Sequence, residues 1–124
     1  MLENSKTKNK EKGNLGENLV YRYLERNNCQ IIAKNFKSNF GEIDIIFFDK
    51  DELVFSEIKS RTGLEYGFPA ESVTFKKKKH IISTAKYFIY INNLANYNIR
   101  FDVIEVYLFK NSSPLINQIK SVFW

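Results

Sequence analysis

The 124-residue sequence holds a single cysteine, Cys29, and a single histidine, His80. One cysteine forms no internal disulfide, so the chain is not a disulfide-stapled secreted domain. The same shortage excludes a cysteine-cluster zinc or iron–sulfur centre. One histidine excludes a multi-histidine metal site. With no Gly-x-Ser-x-Gly element, hydrolysis by a nucleophile triad is unsupported. The first residues, Met1 to Lys6, are not followed by the apolar segment of a signal peptide. No apolar run approaches the ~20 residues that cross a bilayer. Internal repeats are absent too. A soluble cytoplasmic protein is the expectation.

What remains is an ordinary globular composition, 44% apolar and 27% charged, with eleven Phe and seven Tyr for a core. The length fits one domain. Nineteen Lys+Arg against 14 Asp+Glu give a net charge of +5, which favours a polyanionic partner such as nucleic acid. Fifteen of the basic residues are Lys. Beside abundant Asn and Ile, that bias fits an AT-rich genome as well as a selected charge.

Residues 1–12, with four Lys and two Glu, read as a mobile basic arm. Gly13 and Gly16 bracket the start of a first helix. Leu15, Leu19, Val20, Tyr23 and Leu24 recur along it at helical spacing. Asn27 and Asn28 end it, since Asn tolerates the left-handed cap. Strands follow over Gln30 to Phe36, Glu42 to Phe48 and Leu53 to Ser60, with a polar hairpin turn at Asp49 to Glu52. Alternation predicts Ile43, Ile45 and Phe47 on one face of the second strand and Glu42, Asp44, Ile46 and Phe48 on the other. In the third strand it groups Leu53, Phe55, Glu57 and Lys59. Arg61 to Ala70 reads as a loop. A second helix over Thr74 to Ile91 has the apolar stripe Ile81, Ile82, Ala85, Phe88 and Ile89. Strands at Ile99 to Phe109 and Leu115 to Ile119 close the order α-β-β-β-α-β-β, an α/β fold with helices packed on a mixed sheet.

The informative feature is charge inside strands that otherwise read as core. Asp44 sits in Ile43-Asp44-Ile45-Ile46-Phe47-Phe48, and Glu57 and Lys59 in Leu53-Val54-Phe55-Ser56-Glu57-Ile58-Lys59. Burying an unpaired carboxylate costs several kcal/mol, roughly, so something must compensate. The hairpin brings Asp44 near Glu57, and the period of two puts Lys59 on Glu57's side. Two acids and a lysine at one cleft suit a divalent cation such as Mg²⁺, which takes one or two carboxylates with waters and phosphate oxygens. The Ile58 backbone carbonyl is a further candidate ligand. Such a metal lowers the pKa of a bound water and neutralises charge on a phosphodiester, and Lys59 is placed to assist that water. The competing reading is a strand-edge ion pair worth about 0–1 kcal/mol. Lys76, Lys77, Lys78 and Lys79 oppose the dipole at a helix start, so they read as phosphate contacts or as a solvated face. Cys29 reads as an ordinary half-buried thiol, and His80 as a surface or phosphate-contacting group.

Gly41-Glu42-Ile43-Asp44 followed by Val54-Phe55-Ser56-Glu57-Ile58-Lys59-Ser60-Arg61 resembles the core of the PD-(D/E)xK nucleases. More closely, the chain resembles the small bacterial YraN family over almost everything after the arm. Gly13 to Glu17, Asn35-Phe36, Gly67 to Val73 with Lys77 and Ala85, Arg100 to Ile104 and Ile116 to Phe123 carry the likeness. Asn28-Cys29 departs from the family's glycine–aromatic pair after the first helix, which changes a cap. Ser56 stands where Val is usual.

The resemblance implies a restriction-endonuclease-like domain over residues 13–124, related to Holliday-junction resolvases. It implies a metal-dependent nuclease that hydrolyses DNA, with branched or recombination and repair intermediates as substrates. Glu17, Asp44, Glu57 and Lys59 match the family's active-site set. Asp44, Glu57 and the Ile58 carbonyl would hold Mg²⁺ or Mn²⁺, with Glu17 adding support through water. Read without the family, Glu17 is a surface carboxylate favoured by the helix dipole. Glu42 and Arg61 would sit beside the site or contact substrate. Arg61 and Lys76 to Lys79 are the expected nucleic-acid contacts, and pairing of two copies fits resolvase-like enzymes. The alternative is a non-catalytic nucleic-acid-binding module on the same fold.

Overall fold

Among the described residues seven elements follow one another in the expected order: α1 (Ser5–Arg26), β1 (Gln30–Lys37), β2 (Glu42–Asp49), β3 (Glu52–Thr62), α2 (Phe75–Ile91), β4 (Asn98–Leu108) and β5 (Leu115–Ile119). They are drawn from a computed structural model that describes residues 5–62 and 75–123, with side chains described over 15–62 and 76–123. The Gly67 to Val73 block, most of the loop after Arg61 and the expected helix start at Thr74 lie outside the described residues. No helix among the described residues is long and apolar enough to cross a membrane.

α1 begins at Ser5, inside the stretch read as an arm, so Gly13 and Gly16 lie within the helix. The Lys and Glu residues there are good helix formers. Both helices end in the same way. Asn28 (φ 61°) and Asn93 (φ 56°) occupy the left-handed position after α1 and α2. Cys29 N–H donates to Leu24 O at 2.9 Å and Asn28 N–H to Glu25 O at 3.1 Å. Leu94 N–H donates to Ile89 O at 3.0 Å and Asn93 N–H to Tyr90 O at 3.4 Å. These are Schellman caps, each with its apolar contact back to the last turn. Cys29 is thereby a capping residue packed beside Leu24.

The sheet order is β1-β2-β3-β4-β5, antiparallel except for β3 and β4. Those two run parallel from Glu52↔Asn98 to Thr62↔Leu108, and α2 lies in the connection between them. α1 packs on one face, with Val20 and Leu24 against Ile45, Phe47, Val54, Ile104 and Val106. α2 packs on the other, with Ala85 and Phe88 against Ile43, Ile46, Leu53, Phe55 and Phe101. Leu15, expected on the apolar stripe of α1, is 52% exposed.

Gly16 sets how closely α1 approaches the sheet. A Cβ there would lie 2.1 Å from Ser60 Oγ and 3.3 Å from Ser60 Cβ. Gly16→Val is therefore expected to lower the melting temperature by several degrees, the effect of about 1–3 kcal/mol of overpacking. Gly16→Ala should cost less, and adding Ser60→Gly should recover most of that smaller loss. A melting cycle over the two singles and the double checks this.

One expected face assignment fails. Ile45 and Phe47 pack under α1, but Ile43 packs under α2 with Ile46. β1 switches faces at the same level. Lys34, paired with Ile45, reaches the Tyr21 ring of α1, while Phe36, paired with Ile43, lies in the α2-side cluster. Asn35 lies between them, opposite Asp44, with a left-handed φ of 51°. Such a residue breaks the alternation of a strand, and Asn tolerates it better than most. The β2–β3 ladder also stops at Ile45↔Ser56, which leaves the end of β2 free to turn. Asp44 sits on that pivot.

Candidate functional site

The β2–β3 hairpin runs from Asp49↔Glu52 to Ile45↔Ser56, across a two-residue turn with Lys50 at φ 56°. One step beyond its last pair brings Asp44 level with Glu57. Asp44 Oδ2 there accepts the Ile58 amide at 2.8 Å. A side-chain oxygen thus satisfies a backbone donor just past the end of the ladder. The other oxygen of Asp44 has no hydrogen bond among the described residues. Burial is the main force on this carboxyl and pushes its pKa up, to about 6. The Ile58 amide opposes the rise, and the charges of Glu57, Glu42 and Glu17 add to it.

Glu57 is held differently. Lys77 Nζ, from α2, lies 2.5 Å from its Oε1, and Lys59 Nζ lies 3.1 Å from the same oxygen. The other oxygen, Oε2, is buried and has no partner among the described residues. Burial pulls the Lys77 ammonium down, but the bond to Glu57 leads the forces that hold its pKa above its ordinary value. A cleft of about 310 Å³ opens onto this group, lined by Gly41, Glu42, Asp44, Glu57, Lys77, His80 and Ile81. Ser56, Phe101, Val103 and Phe123 help line a smaller pocket of about 50 Å³ beside it.

The remaining expected site residues divide. Glu17 is near enough for its charge to raise Asp44 and Tyr21. No group of three His, Cys, Asp or Glu side chains among the described residues comes together as a metal cage. Ile58 gives its amide to Asp44 and packs on the α1 side. Arg61 Nε lies 3.3 Å from Glu105 Oε2, an ion pair without an aligned hydrogen bond. Glu105 is itself buried and accepts from Tyr107 Oη and Asn117 Nδ2. Lys76 and Lys79 are exposed, and Lys78 Nζ stands 5.5 Å from the Phe123 ring centre. Of the four consecutive lysines, Lys77 alone reaches the carboxylates. Its position had a signal in the sequence: it lies four residues before Ile81 and extends the inward stripe of α2 by one turn.

The donor set fits a hard divalent cation. Asp44 and Glu57 each keep an oxygen without a hydrogen-bond partner among the described residues, and the Glu57 one is buried. Mg²⁺ commonly takes one or two carboxylates and fills the rest of its shell with water and phosphate.

A second charged cluster lies on the α1 face. Arg100, only 7% exposed, bonds Asp102 through Nε at 2.9 Å and Nη2 at 3.0 Å. It also bonds Glu52 and Asp49, each at 3.0 Å. Burial alone would lower its pKa, but the carboxylates of Asp102 and Asp49 outweigh this and raise it. Asp102 also accepts Gln118 Nε2 and the Ser121 amide. Both Asp102 oxygens and all three guanidinium nitrogens of Arg100 are bonded, so the cluster ties strands together.

Known proteins support one assignment. A family model described as "Uncharacterised protein family UPF0102" matches residues 16–106. A UPF0102 protein of Clostridioides difficile is 50% identical over 115 residues, covering 93% of this chain and 98% of the relative. One from Caldanaerobacter subterraneus subsp. tengcongensis is 39% identical over 120 residues, covering 95% and 98%. One from Caldicellulosiruptor bescii is 43% identical over 116 residues, covering 92% and 98%. A match that begins at Gly16, ends at Val106 and so takes in Asp44, Glu57 and Lys59 makes this chain a member of the UPF0102 family, which is the YraN family.

Proposed function

We propose that the protein is a metal-dependent nuclease that hydrolyses DNA phosphodiester bonds, with branched and repair intermediates as its substrate class. The observation that carries this reading is the pair of carboxylates at the open end of the hairpin. Among the described residues Asp44 and Glu57 each keep an oxygen unbonded, and Lys59 pairs with Glu57 beside them. The family resemblance of the same residues points the same way.

Asp44 and Glu57 would hold Mg²⁺ or Mn²⁺, with the Ile58 carbonyl as a third oxygen and Glu17 acting through water. Bound there, the ion supplies an activated water at neutral pH and charge neutralisation on the phosphodiester. The chain's own residues do the rest. The Ile58 amide fixes the Asp44 carboxylate in place. Lys59, held by Glu57, places a positive charge where the attacking oxygen and the phosphoryl oxygens gather. Lys76 and Lys79, exposed on α2, contact backbone phosphates without reading sequence.

The test is Mn²⁺ titration with labelled duplex, nicked and four-way DNA. Metal-dependent cleavage is expected, and Asp44→Ala and Glu57→Ala should abolish it while remaining folded. Lys59→Met should lower turnover about 10²–10³-fold and leave DNA affinity within a few fold. A wild type that cleaves none of these substrates overturns the proposal. Salt-sensitive binding indifferent to metal and to Asp44→Ala would instead mark a non-catalytic binding module.

A further inference from the structure

An aromatic groove opens about two helical turns along α2 from His80, which lines the carboxylate cleft. It measures about 260 Å³ and is lined by Lys37, Ser38, Asn39, Phe40 and Tyr87. Phe40 is 51% exposed and Tyr87 43% exposed. Leaving two rings half in water forfeits burial that each would otherwise contribute. The backbone under Phe40 and the ring of Tyr87 are both anchored. Ser38 N–H donates to Gly41 O at 2.8 Å and Phe40 N–H to Ser38 Oγ at 3.1 Å. Ser38 Oγ is 3.2 Å from the Thr84 hydroxyl, which itself donates to His80 O at 2.8 Å. The turn bearing Phe40 is thus clamped to α2. Tyr87 rests on Phe36, with ring centres 6.2 Å apart, and Phe36 packs edge-on against Phe88 at 5.0 Å.

The groove and the carboxylate cleft lie along the same helix, α2, and along neighbouring residues of the β1–β2 connection. His80, Thr84 and Tyr87 follow one another along one face of α2, and His80 lines that cleft. From His80 to Tyr87 is about 10 Å along the helix axis. Gly41 and Glu42, directly after Phe40, line the cleft as well. Two half-exposed rings and Lys37 lining one groove, on a chain of net charge +5, match a base attached to a phosphate backbone.

We infer that the Phe40–Tyr87 groove stacks an unpaired base of a nucleic-acid strand whose backbone runs on into the Asp44–Glu57 cleft. This rests on the nuclease reading for the position of the scissile phosphate, and it narrows the substrate to one with an unpaired nucleotide beside the cut. The lysines bind any phosphate backbone, whereas the groove discriminates unpaired from paired strands.

The test measures fluorescence anisotropy in EDTA, with a labelled oligothymidylate and a blunt duplex of equal length. Phe40→Ala and Tyr87→Ala should each weaken oligothymidylate binding roughly tenfold and leave duplex binding within about twofold. Phe40→Trp should restore it. An oligouridylate arm separates DNA from RNA. Equal losses on single strand and duplex, no loss on either, or no single-strand binding by the wild type would each overturn the inference. Ring-dependent single-strand binding without cleavage under Mn²⁺ would leave the groove standing and remove the nuclease reading. Cleavage that depends on Asp44 but not on either ring would do the reverse.

Discussion

Asp44→Asn is expected to stabilise the protein at pH 7.5 while destroying its response to divalent metal. Desolvation pushes this half-buried carboxyl up from 3.8 to about 6. Below pH 3.8 it is neutral in both the native and unfolded chains and burial costs it little. As the pH rises from 3.8 through 6, the unfolded chain releases this proton more readily than the native one, and stability falls. The loss amounts to about 3 kcal/mol once the native carboxylate is ionised. Asparagine carries no charge to desolvate, yet its carbonyl can still accept the Ile58 amide. The variant should melt on the order of 10 °C higher at pH 7.5 in EDTA, and the gap should close as the pH falls below 4. Added Mn²⁺ should raise the melting temperature of the wild type and leave that of the variant unchanged, because a ligand stabilises only the state that binds it. Melting curves across pH, with EDTA or Mn²⁺, test both halves. A variant no more stable than the wild type at pH 7.5 would mean that Asp44 is solvated.

Arg100→Met should be the most damaging substitution away from the cleft. Its guanidinium joins Asp49 and Glu52, which flank the hairpin turn, to Asp102 on β4. Asp102 continues to Gln118 on β5, and Gln118 accepts Tyr23 Oη from α1. Methionine retains much of the packing but leaves a fully buried Asp102 carboxylate without its cation. Removing one partner of a buried pair costs about 3–5 kcal/mol, a large share of the ~5–15 kcal/mol that holds a domain folded. The urea midpoint should fall accordingly. Adding Asp102→Leu to Arg100→Met should recover part of the loss, since an apolar pair replaces a broken ionic one. A double variant weaker than the single would show that the Gln118 and Ser121 bonds to Asp102 matter more than its charge.

Much of this arrangement could be read from the amino acids because it is local. The caps at Asn28 and Asn93 and the inward stripe of α2 depend on residues a few positions apart. Asp44 and Glu57 are joined by one tight hairpin, and its register brings them level. Contacts that depend on distant chain escaped. Arg61 reads as an open cation until β4 brings Glu105 beside it, forty-four residues on. Lys77 stands out among the four lysines by the family resemblance, but its ion pair with Glu57 is legible only once α2 is laid across β3. The switch of Ile43 to the α2 side was missed because regular alternation presumes regular backbone, and a left-handed Asn35 in the neighbouring strand breaks it for both. Glu17 lies between these cases: it reaches the neighbourhood of Asp44 by charge without joining a three-acid cage.

The parallel pairing of β3 with β4 bears on the order in which the site assembles. The β2–β3 hairpin closes over a short loop, on the order of microseconds. The parallel ladder must wait for α2 and a long crossover, which is slow because loop entropy is lost before contacts are gained. The two carboxylates therefore face one another before Lys77 or the Arg100 bridge is in place. During that interval Lys59 is the cation that the hairpin itself sets beside the two carboxylates, and a divalent ion bound there would favour its closure. The lysine from α2 then arrives as a late counterion, relieving in the finished protein a repulsion that the nascent chain must otherwise tolerate.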